Sequence, residues 1–150
     1  MKRIALISDT HGVVSRGVVE VISGVNMIIH AGDIGSEKIF TQLSYVAPVV
    51  AVSGNVDRWS RLLPYEKTIE VDGIYLYIIH ILENISISPK TAGIDIVVSG
   101  HTHIPSIGQE AGITYINPGS PTLPRSNTGP TIGILEIDNG QIKPKIIKIL

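Results

Sequence analysis

Residues 3–12 read Arg-Ile-Ala-Leu-Ile-Ser-Asp-Thr-His-Gly, an apolar run that ends abruptly in polar side chains. A short run rich in Ile and Leu, bounded by such residues, predicts a buried strand over Arg3–Ile7. The end of this strand delivers a carboxylate, Asp9, and an imidazole, His11. Because positions i and i+2 of an extended segment point to the same side, these two side chains can reach one site.

The same pattern recurs at four later strand ends. The second strand is followed by His30 and Asp33, and the third by Asn55 and Asp57. In open α/β sheets, sites form at the carboxyl ends of strands, so we expect these groups to converge. Glycine precedes three of the candidate ligands, where it allows a sharp turn and leaves room for an ion. The remaining strand-end residues are His80, His101 and His103.

The surrounding sequence predicts a β-α-β-α-β start followed mainly by strands. Helix-separated apolar strands favour a parallel sheet with right-handed crossovers. Asp72-Gly73 and Asp138-Asn139-Gly140 are turn signals that predict two hairpins. The predicted strands are Arg3–Ile7, Asn26–Ile29, Val46–Val52, Thr68–Val71, Ile74–Ile79, Asp95–Val98, Ile104–Gln109, Ile113–Ile116, Thr131–Ile137 and Gln141–Ile149. The predicted helices are Val13–Ser23, Ser36–Leu43 and Ile85–Ala92.

Composition bounds what the chain can be. Its 150 residues predict a single domain over residues 1–150, and 43% hydrophobic content is ample for a packed core. The absence of cysteine excludes disulfides, thiolate metal sites and a Cys nucleophile. No apolar run approaches the ~18 residues of a membrane span, and the N-terminal run is too short for a signal peptide. We therefore expect a cytoplasmic protein without a membrane partner.

In this order and spacing, the strand-end motifs resemble those of the calcineurin-like metallophosphoesterases. They are Asp9-x-His11, Gly32-Asp33, Gly54-Asn55, His80 and Gly100-His101-x-His103. The small size and the segment Ile116-Asn117-Pro118-Gly119-Ser120 resemble the small prokaryotic phosphodiesterase branch, which itself resembles the non-catalytic retromer subunit. The resemblance implies an α/β fold: a four-layer αββα sandwich in which helices flank two β-sheets.

The resemblance also implies two metal ions that share Asp33. One ion would be held by Asp9, His11, Asp33 and His103, and the other by Asp33, Asn55, His80 and His101. Such ligands suit Mn, Ni, Fe or Zn, with Mn expected first and Mg as a further alternative. Two divalent ions about 3.5–4 Å apart need a bridging anion, which a carboxylate supplies.

The expected reaction is hydrolysis of a small phosphodiester. Two divalent ions, two aspartates and one hydroxide leave the centre with about one positive charge, which favours an anionic substrate. Metal binding lowers the pKa of water from 15.7 to about 7. A metal-bridging hydroxide is therefore the expected nucleophile for in-line attack at phosphorus.

Four residues beside the ligands are candidates for supporting roles. His30 is predicted to steady Asp33 or a bound water, with a plain buried histidine as the alternative. Asp57 is predicted to orient the Asn55 loop or His101, or else only to form an Asx turn. Arg125, and less so Arg58, are candidates for binding substrate phosphate, because guanidinium grips phosphate in a bidentate manner.

Two positions depart from the family pattern. Val56 stands where many members have a histidine that assists the leaving group, and general-acid help is commonly worth about 10²–10⁴-fold. Its absence predicts a preference for diesters with good leaving groups. Ile81 and Leu82 follow His80, where glycine is usual, and we expect them exposed at the rim of the site. An apolar rim of this kind would serve a partner or a second subunit.

Two other functions remain open from the sequence. The chain could be a non-catalytic metal-binding scaffold or protein-interaction module, although a scaffold has no need to keep all seven ligands. It could also be a phosphomonoesterase, against which Val56 argues. A net charge of -1 and 5% aromatic residues argue against stable nucleic-acid binding. Assembly into a homo-oligomer is left open.

Overall fold

The computed structural model describes all 150 residues, from Met1 to Leu150. The strands are β1 (Lys2–Ile7), β2 (Met27–His30), β3 (Val49–Ala51), β4 (Glu66–Val71), β5 (Ile74–Ile79), β6 (Ile96–Val98), β7 (Ser106–Glu110), β8 (Ile113–Asn117), β9 (Thr131–Asp138) and β10 (Gln141–Lys148). The helices are α1 (Arg16–Ile22) and α2 (Glu37–Ser44), with one turn of 3-10 helix at Leu82–Asn84. No helix has the length and apolar character needed to cross a membrane.

The strands form two mixed sheets of five strands each. The first sheet has the order β10-β9-β1-β2-β3, and the second has the order β4-β5-β6-β8-β7. The β1, β2 and β3 strands are parallel, with Ile7 opposite His30 and His30 opposite Ala51. Because their carboxyl ends lie at one edge, the loops that follow them also meet there. The β5, β6 and β8 strands are parallel in the second sheet in the same way.

A hydrophobic core fills the space between the two sheets. Ile4, Leu6 and Ile29 of the first sheet belong to the same buried cluster as Leu76 and Val98 of the second. The helices cover the outer face of the first sheet, where a separate cluster includes Val18, Ile22, Ile39 and Leu43. The predicted α/β sandwich of two sheets is therefore confirmed.

The outer face of the second sheet is covered by a loop. Tyr77 and Val97 on this face pack with Ile94, Ile85 and Ile87 of residues 82–94. The predicted helix over Ile85–Ala92 is wrong, since this segment forms turns after the 3-10 turn. Ile85 and Ile87 reach the sheet with a spacing of two, β-branched residues favour helix weakly, and Pro89 interrupts a helix.

Some helices and strands begin at other residues than predicted, because a capping side chain or a proline determines where they begin. Helix α1 begins at Arg16 because the Ser15 hydroxyl caps it, accepting a hydrogen bond from the Val18 N–H at 3.3 Å. Strand β7 begins at Ser106, one residue after Pro105, which has no N–H to donate to a ladder. These shifts leave the order of the predicted strands unchanged.

Candidate metal centre

Five predicted ligands converge where the ends of the two sheets meet. The Asp9 Oδ1 atom lies 3.2 Å from His103 Nε2, 3.7 Å from His11 Nε2 and 3.8 Å from His80 Nε2. The Asp33 Oδ2 atom lies 3.2 Å from His80 Nε2 and 3.6 Å from His11 Nε2. The first sheet thus supplies two carboxylates and one imidazole, and the second sheet faces them with two imidazoles.

The donor atoms form two overlapping groups. Asp9, His11 and His103 make one group, and Asp9, Asp33 and His80 make the other, with all donor atoms of a group within 4.8 Å of one another. Asp9 is common to both groups. Asp33 faces His11 of the first group and His80 of the second. Either carboxylate is therefore placed to contact two ions, and the bridging role of Asp33 stays a prediction.

Two buried atoms of the centre have no hydrogen-bond partner. They are Asp9 Oδ1 and His11 Nε2. Buried polar atoms are nearly always satisfied, so an orphaned carboxylate oxygen beside an orphaned imidazole nitrogen needs an explanation. A divalent cation would satisfy both atoms at once. The residues present therefore fit a metal site.

The orientation of two imidazoles also fits metal binding. His80 Nδ1 lies 2.7 Å from the Ala31 carbonyl oxygen, and His103 Nδ1 lies 2.7 Å from the Leu123 carbonyl oxygen. Each Nδ1–H must donate to its carbonyl, which leaves the Nε2 lone pair facing the carboxylates. Histidines that bind metals commonly donate their other N–H to a carbonyl in this way.

Asn55 and His101 complete the predicted set at its edge. The end of the Asn55 amide lies 3.1 Å from His80 Nε2 and 3.2 Å from Asp33 Oδ2, and its oxygen faces these acceptors. A rotated amide would donate hydrogen bonds to them, whereas a cation between the three groups favours the oxygen. The ring of His101 is exposed, with its centroid 5.4 Å from that of His80. Its backbone N–H donates to Asp9 Oδ2 at 3.0 Å.

The electrostatics of the centre favour positive charge. Burial lowers the pKa of His80, but the hydrogen bond to Asp33 and the charge of Asp9 outweigh it, so the net pKa is raised. Burial likewise raises the pKa of Asp33, and hydrogen bonds from His80 and the Val56 N–H reverse this to a net lowering. A site that draws a proton onto a buried imidazole attracts a cation for the same reason.

His30 connects two ligand loops without facing the centre. Its Nδ1 atom accepts a hydrogen bond from the Gly32 N–H at 3.1 Å, so its Nε2–H donates to the Thr10 hydroxyl at 2.9 Å. The Thr10 hydroxyl in turn donates to the Ile34 carbonyl at 2.9 Å. Complete burial lowers the pKa of His30 to about 3, so the ring is neutral. These contacts favour the predicted support of Asp33.

Asp57 holds the Asn55 loop. Its carboxylate accepts hydrogen bonds from the Gly54 N–H at 2.8 Å, the Gly35 N–H at 3.0 Å and the Trp59 indole N–H at 3.2 Å. It is buried and makes no hydrogen bond to His101. Of its two predicted supporting roles, the geometry favours orientation of the loop that carries Asn55.

The glycines before the ligands leave room for protein side chains and backbone. A Cβ on Gly54 would lie 2.1 Å from Asp33 Oδ1, and one on Gly100 would lie 1.9 Å from the Ser8 hydroxyl. A Cβ on Gly32 would lie 2.7 Å from His80 Nδ1. The expectation that these glycines make space for an ion is therefore refined, because they allow the ligand side chains themselves to approach closely.

Five predicted ligands have left-handed backbone conformations. Their φ angles are 57° for Asp9, 48° for His11, 57° for Asp33, 73° for His101 and 62° for His103. Non-glycine residues rarely adopt positive φ, and such conformations cluster at functional sites. The tight turns after the strands aim consecutive ligands at one point, at a cost in backbone strain.

Sequence reasoning missed several buried polar residues that support the ligands. The Ser8 hydroxyl donates to Asp9 Oδ2 at 2.7 Å, and the Ser120 hydroxyl donates to the Asp9 carbonyl at 2.8 Å. The Asn117 amide donates to the Gly100 carbonyl at 3.0 Å, which holds the loop that carries His101. Their signal was present, since Ser8 directly precedes a ligand and Ser120 lies in a family-like segment.

The departures from the family pattern lie around the centre. Val56 is 42% exposed, while its backbone N–H donates to Asp33 Oδ1 at 3.0 Å. Ile81 and Leu82 are half-buried, so the expected exposed rim after His80 is wrong, because Leu82 packs against the second sheet. Arg125 is exposed, and its backbone N–H donates to the His103 carbonyl at 3.2 Å.

Known proteins are similar to this chain in sequence or in fold. The chain matches the calcineurin-like phosphoesterase superfamily domain over residues 1–140. It is 34% identical to a probable metallophosphoesterase of Methanothermobacter thermautotrophicus, over 97% of this chain and 91% of that protein. It is 27% identical to the phosphodiesterase YfcE of Escherichia coli K12, over 92% and 89% of the two chains.

Among solved structures, the zinc complex of Vps29 from Entamoeba histolytica has the same fold. Its TM-score is 0.77 at 19% identity, over 97% of this chain and 98% of that chain. The match over nearly the whole sequence and the facing carboxylates and imidazoles lead to one conclusion. The chain is a member of the calcineurin-like phosphoesterase superfamily.

Proposed function

We propose that this protein is a metal-dependent phosphodiesterase with two divalent ions at the candidate metal centre. The observation that carries the proposal is the pair of orphaned buried atoms, Asp9 Oδ1 and His11 Nε2, within a ring of facing ligands. Relatives with phosphodiesterase in their names, including YfcE, support the substrate class.

The ligands divide between the two ions as the resemblance implies. Asp9, His11, Asp33 and His103 would hold one ion, and Asp33, Asn55, His80 and His101 would hold the other. When bound, the ions would supply Lewis acidity and an activated water at neutral pH. Manganese is the ion we propose first, because imidazole, carboxylate and amide together suit borderline or hard ions.

The protein itself fixes the ligands and shapes the charge. His80 and His103 are oriented by the carbonyl oxygens of Ala31 and Leu123. The Val56 N–H donates a hydrogen bond to Asp33 Oδ1 at 3.0 Å, which favours the ionised carboxylate that would hold a cation. Pre-oriented groups of this kind need little reorganisation when charge develops on a phosphate.

The proposed substrates are diesters with good leaving groups. The exposed side chain of Val56 beside Asn55 offers no proton to a departing alkoxide. An aryl oxide leaves without protonation, so its departure does not need a general acid. We expect turnover of aryl diesters to exceed that of alkyl monoesters, and equal turnover of both would contradict this selectivity.

The test is hydrolysis of bis(4-nitrophenyl) phosphate by protein treated with EDTA. Mn²⁺, Ni²⁺, Zn²⁺ and Mg²⁺ are then added back singly, and Asp9→Asn serves as the variant without a complete centre. We expect no turnover after EDTA, recovery with at least one ion, and none in the variant. Absence of turnover with every ion would reject the phosphodiesterase proposal.

The second candidate is a metal-binding scaffold that docks a partner. Exposed apolar side chains stand beside the predicted ligands: Val13, Val56, Ile104 and Leu123 are 51%, 42%, 47% and 50% exposed. Apolar surface around a polar centre suits protein contact. Metal binding without turnover in the experiment above would favour this function.

A further inference from the structure

A cavity of about 290 Å³ adjoins the candidate metal centre on the side of the second sheet. Gly100 and Thr102, which flank the predicted ligand His101, form part of its wall. Ligand pockets commonly enclose about 300–1,000 Å³, so this cavity suits one substituent of a substrate rather than a large molecule. The ligands described above do not line it.

The lining of this cavity has one charged group. Glu83 is exposed and takes part in no ion pair or side-chain hydrogen bond of the structure. Leu82, Ile104 and Tyr115 add apolar and aromatic surface. The hydroxyl of Thr102, by contrast, is already engaged by the Asn117 amide at 3.0 Å. The lining also includes the hydroxyl residues Ser99 and Ser106, so Glu83 is the one charged group among neutral polar and apolar side chains.

A carboxylate beside aromatic and aliphatic surface suits an alkylammonium group. The carboxylate and the face of an aromatic ring both attract the positive charge, and apolar contact stabilises the bound alkyl part. An anionic substituent would meet repulsion from Glu83. The charge of the cavity is thus opposite to that expected at a metal centre that attracts phosphate.

We propose that this cavity binds an alkylammonium ester group of the phosphodiester, with Glu83 selecting for its positive charge. The inference rests on the proposed phosphodiesterase function and names the substrate class within it. In an aryl diester of this class, water oxygen bonds to phosphorus and the bond from phosphorus to the aryl oxygen breaks. The electron pair leaves with the aryl oxide, the water proton passes to solvent, and the alkylammonium phosphate monoester remains.

The test compares two 4-nitrophenyl diesters of nearly the same shape. One carries choline, and the other carries 3,3-dimethylbutanol, in which carbon replaces the charged nitrogen. We measure kcat/KM for both with the metal-loaded protein and with Glu83→Gln. We expect the ratio of kcat/KM for the choline diester to kcat/KM for the dimethylbutyl diester to fall about fivefold in the variant. The variant loses a partly exposed interaction between charges, which is worth about this much.

A matched control uses Glu110, a second exposed glutamate, which lies on β7 of the second sheet. Glu110 lies at the other end of β7 from Ser106, which lines the cavity, and four steps along the strand place the two residues roughly 13 Å apart. Glu110→Gln should leave the ratio unchanged. An equal fall in both variants, or no fall in Glu83→Gln, would overturn the cavity proposal while leaving phosphodiesterase function intact.

A second variant tests the cavity independently of charge. Ser106→Trp fills the cavity from an exposed strand position. We expect kcat/KM to fall about tenfold for both bulky diesters and to stay unchanged for methyl 4-nitrophenyl phosphate. Equal loss for all three diesters would contradict the proposal. Absence of turnover of any diester by the unaltered protein would overturn the proposed function and this inference together.

Discussion

At Gly54, the space that a side chain would occupy is already taken by Asp33. A Cβ there would lie 2.1 Å from Asp33 Oδ1 and 2.3 Å from the Asp33 backbone nitrogen. Gly54→Ala should therefore displace a central ligand and lower metal affinity by about 10–100-fold, as loss of ligand positioning typically does. Metal content after dialysis, measured by mass spectrometry, checks this.

Gly108→Ala is the control for that substitution. A Cβ at Gly108, on β7, would meet nothing within 4 Å. Metal content should match that of the unaltered protein. If Gly54→Ala retained metal as well as Gly108→Ala does, the close approach of the Asn55 loop to Asp33 would not matter for binding.

His30 supports ligands through hydrogen bonds to neighbouring residues. Removal of the ring in His30→Ala leaves the buried Gly32 N–H without its acceptor and removes one of the two hydrogen bonds of the Thr10 hydroxyl. We expect about 10–100-fold weaker metal binding, measured by isothermal titration. Val18→Ala, in the helix-side core, is the control, since it costs stability without touching a ligand loop. Unchanged affinity in His30→Ala would leave His30 as a packing residue.

The candidate ligands could be named at the residue scale, and their geometry could not. Spacing after the strands indicated that Asp9 and His11 can reach one site, and the family resemblance implied that His103 joins them. The left-handed conformation of each was not visible, because none of them is a residue type that favours positive φ as glycine does. The hydroxyl of Ser120 reaches Asp9 across a sequence separation that no local pattern reveals.

At the scale of elements, Glu66 at the start of β4 holds the loop that covers the second sheet. Its carboxylate accepts hydrogen bonds from the Tyr77 phenol of β5 and, at 3.0 Å, from the Ser86 hydroxyl. Burial, with the hydrogen bond to Glu66, raises the pKa of Tyr77 to about 12 from its usual 10.0. The folded state therefore retains this proton to a higher pH than the unfolded chain does.

This difference predicts a loss of stability in alkali. The contribution of Tyr77 should be complete below about pH 10 and decline as pH rises toward 12, because only the unfolded chain ionises in that window. Tyr77→Phe should cost about 1 kcal/mol at pH 8 through its lost hydrogen bond and flatten the decline. Urea unfolding from pH 8 to pH 11.5 measures both. Tyr45→Phe, at an 87% exposed side chain, should keep the original slope.

Elements with a strong periodic pattern were predicted well, and the segment after His80 was not. The parallel β1-β2-β3 order and both hairpins follow from apolar runs and turn residues. The segment 85–92 has only two isoleucines, Ile85 and Ile87, and is too short for its apolar spacing to determine its structure. Packing of Ile85 and Ile87 against the second sheet determines it instead, and a single sequence does not show that contact.

At the scale of the whole molecule, the two sheets meet at the centre, where a few hydrogen bonds join them, such as those from the His101 N–H to Asp9 Oδ2 at 3.0 Å and from His80 Nδ1 to the Ala31 carbonyl at 2.7 Å. Asp9 and Asp33 come from the first sheet, and His80 and His103 come from the second. An ion held between them binds only the folded chain and so stabilises it. At one hundred times Kd the gain is about 2.7 kcal/mol per site, which corresponds to roughly 5–11 °C in Tm for a chain of this size.

Thermal melting with EDTA and with Mn²⁺ measures this gain. The compared quantity is the change in Tm that Mn²⁺ causes in the unaltered protein and in Asp9→Asn, and not the Tm of either protein. We expect the shift in the unaltered protein and its loss in the variant. Equal shifts in both proteins would mean that the ion binds elsewhere.

The place of β1 within its sheet also affects when the centre can form. Ala5 of β1 lies opposite Ile28 on one side and opposite Ile134 on the other. During synthesis β1 cannot complete its pairing until β9, the ninth of the ten strands, has been made. Until then Asp9 and His11 follow a strand with one unpaired edge. Capture of the proposed ions would therefore be a late event in the folding of each molecule. The ion acquired would reflect what the cell holds free at that moment as much as what the ligands prefer.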